Sequence, residues 1–218
     1  MRSLAVITAG LSSPSSTRQL GEKIAASVEG AVTSRGESVE IHFIEARDYA
    51  EELAAGLVNM AAETPLLDDA KKTLSAADGL IVVTPIFQGS YSGLFKMFFD
   101  SLDTESINDM PTVIAATAGS ARHSMVLDFA LRPLMTFLHA MVMPTGVFQA
   151  TEDFGTPEGA RIEQRIQRAA GELANFMVSN PDHVEGLAGD FTNIESRKRK
   201  SGVGIDTDNF VPMSQLLQ

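Results

Sequence analysis

Residues 80–84 read LIVVT, an apolar run bounded by Gly79 and Pro85, and this run decides the fold. Similar unbroken runs occur at 4–8 (LAVIT) and 112–116 (TVIAA). Strands are apolar throughout when helices cover both faces of a sheet, as in parallel α/β sheets. Longer stretches with apolar residues at helical spacing separate the three runs. The pattern therefore predicts βαβ units around a parallel sheet.

Two further runs have the character of border strands. Residues 39–43 (VEIHF) alternate between apolar and polar side chains, and residues 142–148 carry Pro144 and Thr145. Border strands tolerate polar residues and proline better than central ones. Placing these two at the borders predicts a five-stranded, doubly wound sheet of order 2-1-3-4-5, the flavodoxin-like arrangement.

The helical pattern and the domain limits follow from the same periodicity. We predict helices at 19–34, 46–62, 67–77, 92–102, 125–141 with a bend at Pro133, and 158–178. Residues 1–180 are expected to form one domain. Residues 181–218 form a C-terminal tail, with a basic run at 197–200 and an apolar patch at 210–217. Two interpretations of the tail stay open: a flexible terminus, or a docking or dimerisation arm.

The composition excludes several classes of protein. The chain has no Cys, which rules out disulfides, thiolate zinc sites, iron–sulfur clusters and cysteine nucleophiles. We expect no metal site. With 28 acidic against 17 basic residues the net charge is −11, which argues against nucleic-acid or anionic-lipid partners. The first apolar run is too short for an export signal, and no segment is long enough to span a bilayer, so we expect a cytoplasmic protein.

The loop after the first strand, residues 9–18, reads AGLSSPSSTR and leads directly into a helix. A helix N-terminus attracts phosphate through its unpaired N–H groups and dipole, and the loop adds four Ser, one Thr and one Arg. A simple helix cap would need only one hydroxyl. The spacing fits neither a P-loop nor G-x-G-x-x-G. The loop therefore predicts a monophosphate ligand.

The loops after the third and fourth strands also lie at the predicted crevice. Residues 84–93 read TPIFQGSYSG, which combines two glycines for close approach with flat aromatic surface. Residues 117–124 read TAGSARHS, whose small residues allow a planar ligand against the backbone. Arg122 or His123 could contact an anionic ring or a second substrate's phosphate. A surface or capping role is also typical of such a histidine. A phosphate on the first loop and a flat ring over the other two is how FMN would lie.

These residues resemble the NAD(P)H-dependent FMN reductases of the flavodoxin-like superfamily. Residues 12–20 (SSPSSTRQL) are similar to their phosphate loop, and 84–96 to their Pro-x-Tyr-Asn-x-Ser loop, with Phe87 and Gln88 in place of Tyr and Asn. The Ala-Gly-Ser-Ala-Arg-His stretch at 118–123 and the Phe-x-Pro-x-x-x-Leu-Leu element at 210–217 resemble the reductases that partner luciferase-like flavin monooxygenases.

The resemblance implies an oxidoreductase with FMN as cofactor and NADPH or NADH as electron donor. It would supply reduced flavin to a monooxygenase or electrons to a small acceptor such as a quinone, and it would form a homodimer or higher homo-oligomer. No catalytic side chain is expected, because the flavin carries the chemistry. The cofactor residues it implies are, for the phosphate, Ser12, Ser15, Ser16 and Thr17, and, for the isoalloxazine, Pro85, Phe87, Gln88, Gly89, Ser90, Thr117, Gly119 and Ser120.

Three other classes were considered. A non-catalytic electron carrier of flavodoxin type shares the fold and stays open. A response-regulator-like domain needs a cluster of Asp at the ends of strands one and three, where this chain reads TAG and TP. A serine hydrolase needs a Gly-x-Ser-x-Gly elbow, whereas residues 89–93 place Tyr91 in the middle.

Overall fold

The fold was determined as a computed structural model, and it is described for residues 1–59, 61–103, 105–153 and 157–178. The tail predicted at 181–218 lies outside the described residues, so its two interpretations stay predictions.

A parallel sheet forms the centre of the molecule. Its strands are β1 (Arg2–Thr8), β2 (Val39–Glu45), β3 (Gly79–Phe87), β4 (Ser90–Tyr91), β5 (Pro111–Ala118), β6 (Met141–Val142) and β7 (Val147–Ala150). The order is β2-β1-β3-β5-β6, with β7 also parallel to β5 and β4 antiparallel to β3. Because β6 and β7 share the fifth position, the predicted order 2-1-3-4-5 is confirmed, with the alternating and the proline-containing strand at the two borders.

Helices cover both faces of the sheet. They are α1 (Ser16–Thr33), α2 (Ala50–Val58), α3 (Pro65–Ser75), α4 (Gly93–Asp100), α5 (Arg132–Phe137) and α6 (Pro157–Val178). Short 3-10 turns occur at Ala46–Tyr49, Ala121–His123 and Thr151–Asp153. Within the described ranges, every helix is too short or too polar to traverse a lipid bilayer.

The two-sided burial explains why the central strands are apolar throughout. Leu4 and Val6 pack into one cluster with α1 and α6, whereas Ala5 and Ile7 pack into a second cluster with α2, α3 and α4. All four side chains are completely buried. Successive residues of a strand point to opposite faces, so a strand with helices on both sides needs apolar residues at every position.

The three largest differences from the predicted helices concern those at 125–141, 46–62 and 19–34. The helix predicted at 125–141 is a π-helical segment, Leu127–Leu131, followed by the short α5, because apolar spacing does not separate α from π winding. The helix predicted at 46–62 divides into a 3-10 turn and α2. The first helix begins at Ser16 rather than Gln19, because Ser15 caps it.

The fifth strand position is interrupted between β6 and β7, and side chains satisfy the backbone of the gap. Arg132 donates to the carbonyls of Met143 at 3.1 Å and Pro144 at 3.3 Å. The Glu172 carboxylate accepts from the N–H of Thr145 at 2.9 Å and from its hydroxyl at 2.7 Å. The break is thus a built feature, in which side chains replace the hydrogen bonds of a strand.

Candidate functional site

The sheet topology brings the three polar loops to one edge. Strands β1, β3 and β5 are adjacent and parallel, so their carboxyl ends lie together, with Thr8 beside Val83 and Pro85 beside Thr117. The order in which successive strands are added to the sheet reverses between β1 and β3, and the crevice over such a switch point is where doubly wound sheets bind ligands. The loops that follow these strands are the first loop (9–15), the β3–β4 hairpin (84–92) and the third loop (118–124).

The first loop ends at the N-terminus of α1, where the first turn has N–H groups without intrahelical partners. Ser15 is the N-cap: it is buried, and its hydroxyl accepts from the N–H of Arg18 at 3.2 Å. Ser12 and Ser16 are exposed. Gly10 makes this turn possible, since a Cβ there would lie 2.0 Å from the Ser15 hydroxyl oxygen. One serine is thus used as the cap, and the others present polar groups at a positive helix end.

A buried hydrogen bond joins the first and third loop regions. The hydroxyls of Thr17 and Thr117 lie 2.9 Å apart, and both side chains are buried. Thr17 belongs to the first turn of α1, and Thr117 to the end of β5. Two residues a hundred positions apart in sequence, each predicted for the site, are therefore in direct contact.

The cation of the first loop has a different role from the one predicted. We expected Arg18 to add positive charge for a phosphate. The structure pairs its guanidinium with Glu22 at 2.8 Å and Glu45 at 2.9 Å, and stacks it 3.7 Å above the Phe43 ring. Arg18 therefore ties α1 to β2.

A second arginine, which sequence reasoning missed, contacts the first loop. Arg47 lies on the 3-10 turn after β2 and donates to the carbonyl of Ser12 at 2.9 Å. It also pairs with Glu45 at 2.8 Å. The turn is anchored by Ala46, which is fully buried, and by Tyr49, whose pKa is raised by burial and by the neighbouring Asp48 and Glu52 carboxylates. No local motif marks Arg47, because the contact depends on strand pairing.

The loop after β3 is a tight hairpin. Phe87 pairs with Ser90 across a two-residue tip, Gln88 at φ 51° and Gly89 at φ 79°. Positive φ at both central residues is typical of the type I′ turn, which favours glycine. The Phe87 side chain is 46% exposed, so the tip presents an aromatic ring beside open backbone.

The base of the hairpin is fixed by Thr84. Its buried hydroxyl accepts from the N–H of Ser92 at 3.0 Å and donates to the carbonyl of Pro85 at 3.0 Å. Pro85 is itself buried. The structure thus places Pro85 at the floor of the loops and residues 87–90 at their rim.

The third loop is held from the far border of the sheet. The Glu152 carboxylate accepts from the N–H of Ala121 at 2.7 Å, and the Thr151 hydroxyl donates to the carbonyl of Ala118 at 3.3 Å. Both holding residues follow β7 and were missed from the sequence. Arg122 is exposed and His123 half-buried on the 3-10 turn that ends this loop.

The residues at this edge fit FMN in their chemistry. Hydroxyls and backbone N–H groups at a helix N-terminus are suited to a phosphate dianion. At Gly89 and Gly119, an added Cβ would meet no atom within 4 Å, which leaves room for a planar ring against the backbone.

The fold and this edge define the class of flavodoxin-like α/β proteins, with their ligand crevice over the switch point between β1 and β3. Within that class the chain belongs to the NADPH-dependent FMN reductase family, whose sequence profile matches residues 2–155. It is therefore an NAD(P)H-dependent FMN reductase, an oxidoreductase that uses FMN. Membership decides against the non-catalytic carrier considered above.

Individual relatives agree with the family. The chain is 37% identical over 171 residues to the NADH-dependent FMN reductase SfnF of Pseudomonas fluorescens, covering 75% of this chain and 88% of that protein. The crystal structure of an oxidoreductase from Corynebacterium diphtheriae is 56% identical, with a TM-score of 0.80, over 83% of this chain and 98% of that one. The apo form of the NADH:FMN oxidoreductase EMOB is 27% identical, with a TM-score of 0.70, over 83% of this chain and 92% of that one.

Proposed function

We propose that FMN binds across the three loops, with its phosphate at the N-terminus of α1 and its ring between the β3–β4 hairpin and the third loop. The observation that carries the proposal is the buried Thr17–Thr117 hydrogen bond, because it fixes the helix N-terminus against the end of β5. The residues proposed to contact the phosphate are Ser12, Ser15, Ser16 and Thr17. Those proposed to contact the ring are Pro85, Phe87, Gln88, Gly89, Ser90, Thr117, Gly119 and Ser120.

The chain's own contribution is binding and orientation. FMN, when bound, supplies the acceptor for a hydride from a nicotinamide nucleotide and passes two electrons on. The first turn of α1 holds the phosphate with N–H groups and hydroxyls. The exposed face of Phe87 covers ring surface, and the backbone N–H groups at Gln88 and Gly89 are the proposed donors to the ring. Arg122 and His123, on the rim of the third loop, are proposed to contact the nicotinamide nucleotide.

The physiological electron acceptor is also a proposal. From the resemblance of residues 118–123, we propose that a flavin-dependent monooxygenase receives the reduced flavin, with a small acceptor such as a quinone as the second candidate. The cytoplasmic location expected from the sequence stays a prediction. Stopped-flow measurement of the rate at which reduced flavin passes to a purified luciferase-like monooxygenase, compared with the rate of direct quinone reduction, distinguishes the two acceptors.

We further propose that the chain assembles as a homodimer or higher homo-oligomer. Met125 lies just before the π-helical segment, Phe129 within it and Phe137 at the end of α5, and they are 55%, 76% and 74% exposed. Exposed large apolar side chains grouped along one stretch of the chain, here 125–137, are typical of an interface. Light scattering of the unaltered chain and of Phe129→Asp tests this, with a smaller particle expected for the variant. An unaltered chain that is monomeric at all concentrations contradicts it.

The experiment that tests the site is a charge reversal at the phosphate position. Ser16→Asp places a carboxylate at the exposed first residue of α1. Repulsion between like charges is expected to weaken FMN binding by about a hundredfold, since such contacts cost several kcal/mol. Isothermal titration calorimetry measures it, and riboflavin, which lacks the phosphate, is the control.

NADPH and NADH oxidation with added FMN completes the test. The unaltered chain is expected to turn over without a second reductase, and Ser16→Asp to need far more FMN for the same rate. If Ser16→Asp binds FMN as tightly as the unaltered chain does, the phosphate does not lie at α1.

A further inference from the structure

We propose that Arg47 is a positioning residue for the FMN phosphate: it acts through the carbonyl of Ser12, and Glu45 holds its guanidinium in place. The inference rests on the proposed function, because it takes the first loop to be the phosphate site. It assigns a role to two residues outside that loop.

The contacts of Arg47 fix the middle of the first loop. Ser12 lies between the end of β1 at Thr8 and the N-cap Ser15. One guanidinium nitrogen of Arg47 donates to the Ser12 carbonyl at 2.9 Å, while another pairs with Glu45 at 2.8 Å. A planar guanidinium can make both contacts at once because its donors form a rigid fork.

Arg47 closely follows a strand of the sheet, so its backbone position is fixed by that strand. Glu45 is the last residue of β2 and lies beside Thr8 of β1 in the parallel register. The next residue, Ala46, is fully buried. The position of Arg47 is therefore set by β2, the strand that pairs with β1. Because the first loop continues from β1, the arginine ties that loop to the neighbouring strand.

Glu45 joins this contact to the start of α1. One carboxylate oxygen lies 2.9 Å from Arg18 and the other 2.8 Å from Arg47, and the side chain is only 17% exposed. Arg18 also pairs with Glu22, and Arg47 lies 3.6 Å from Asp48. Both guanidinium charges are thus opposed by carboxylates. This arrangement favours orientation of the loop over direct attraction of the phosphate.

The two roles predict opposite signs for one substitution. If Arg47 positions Ser12, then Glu45→Gln loosens the guanidinium and weakens FMN binding. If Arg47 attracts the phosphate by charge, then Glu45→Gln removes a competing negative charge and tightens FMN binding.

Calorimetric titration of FMN and of riboflavin into the full-length chain tests the proposal. We expect Arg47→Ala and Glu45→Gln each to weaken FMN binding by about tenfold, the range of one hydrogen bond to a charged group, and to change riboflavin binding less than about twofold. The FMN affinity of Arg47→Lys should lie between those of the unaltered chain and Arg47→Ala, because a lysine ammonium can replace only one of the two guanidinium contacts. The matched control is Glu40→Gln, an exposed carboxylate on the same strand.

The outcomes are distinguishable. Tighter FMN binding by Glu45→Gln overturns the positioning role, and so does an equal loss of FMN and riboflavin affinity, which indicates a general structural effect. Unaltered FMN affinity in all three variants overturns it as well. The substitutions Glu45→Gln and Arg47→Lys conserve side-chain size, so their FMN affinities still test the positioning role if Arg47→Ala does not fold. If the unaltered chain does not prefer FMN to riboflavin, the proposed function itself is wrong.

Discussion

The first loop and the β3–β4 hairpin lie at the same edge of the sheet but are held in different ways. The first loop and the helix turn that follows it are fixed by side chains from distant elements: Arg47 after β2 bonds Ser12, and Thr117 on β5 bonds Thr17. The hairpin tip depends on backbone pairing of Phe87 with Ser90 and on positive φ at Gln88 and Gly89.

This difference agrees with the two kinds of ligand group that we assign to them. An anionic phosphate needs donors at fixed positions, so a loop held by hydrogen bonds and ion pairs suits it. A flat ring, and a nicotinamide nucleotide that must bind and dissociate in each turnover, are better matched by a projecting turn with exposed aromatic surface. We therefore expect the first loop to be the rigid region and the hairpin the adaptable one.

The largest effect is expected at the first turn of α1, directly after the first loop, where a buried hydrogen bond joins Thr17 to Thr117. Thr17→Val leaves the Thr117 hydroxyl buried without its partner, and we expect the free energy of unfolding to fall by about 1–3 kcal/mol. Urea unfolding measures it. The double variant Thr17→Val, Thr117→Val should lose less unfolding free energy than the two single variants added together, because both polar groups are then removed.

The matched control is Thr33→Val, an exposed threonine at the other end of the same helix. Its unfolding free energy should change by less than about 0.5 kcal/mol. Equal losses for Thr17→Val and Thr33→Val would show that the Thr17–Thr117 contact adds nothing to stability.

An intermediate effect is expected at the hairpin tip. Gly89 has φ 79°, where a side chain is disfavoured, so Gly89→Ala should lower the free energy of unfolding by about 1 kcal/mol. Gly93→Ala is the control, since its Cβ meets no atom within 4 Å and no positive φ is involved. Thermal unfolding of both variants checks this, and a Gly89→Ala chain as stable as Gly93→Ala contradicts the turn.

The smallest effect is expected at the exposed aromatic ring. Phe87→Tyr restores the hydroxyl of the family loop on a side chain that is already 46% exposed. The free energy of unfolding should change by less than about 0.5 kcal/mol. The KM for FMN should change by less than about threefold, because the ring surface is kept. A loss of activity comparable with Ser16→Asp would mean that the hairpin is as rigidly matched to its ligand as the first loop.

The sheet was predictable because its physical requirement is local. Central strands covered on both faces need apolar residues that point to either side, and the buried middles of β1, β3 and β5 meet this in their own sequences, at 4–7, 80–83 and 113–116. The strand order followed from the same rule, since β2 alternates and Pro144 interrupts the fifth position. The π-helical winding was missed, because the apolar residues at 125–141 are compatible with either helix.

The candidate site was predicted where a loop carries its own pattern and was missed where the pattern is spread over the chain. The serine-rich loop is visible at 12–17. The loop at 84–93 was predicted to contact a planar ring, but its hairpin geometry was missed, because Gln-Gly is a weaker signal than Asn-Gly or Asp-Gly. Arg47 and Glu152 reach the loops from the turns after β2 and β7, and the pairing of those strands is known only once the chain is folded.

The interrupted border strand also affects how readily this protein aggregates at high concentration. A long, continuous edge strand offers a row of unpaired amides on which a neighbouring chain can add, and aggregation often begins there. Between β6 and β7 that row is broken, and Arg132 and Glu172 already occupy backbone groups of the gap. The border is therefore a poor template for intermolecular strand addition, a protection that the fold provides without any charge on the strand itself.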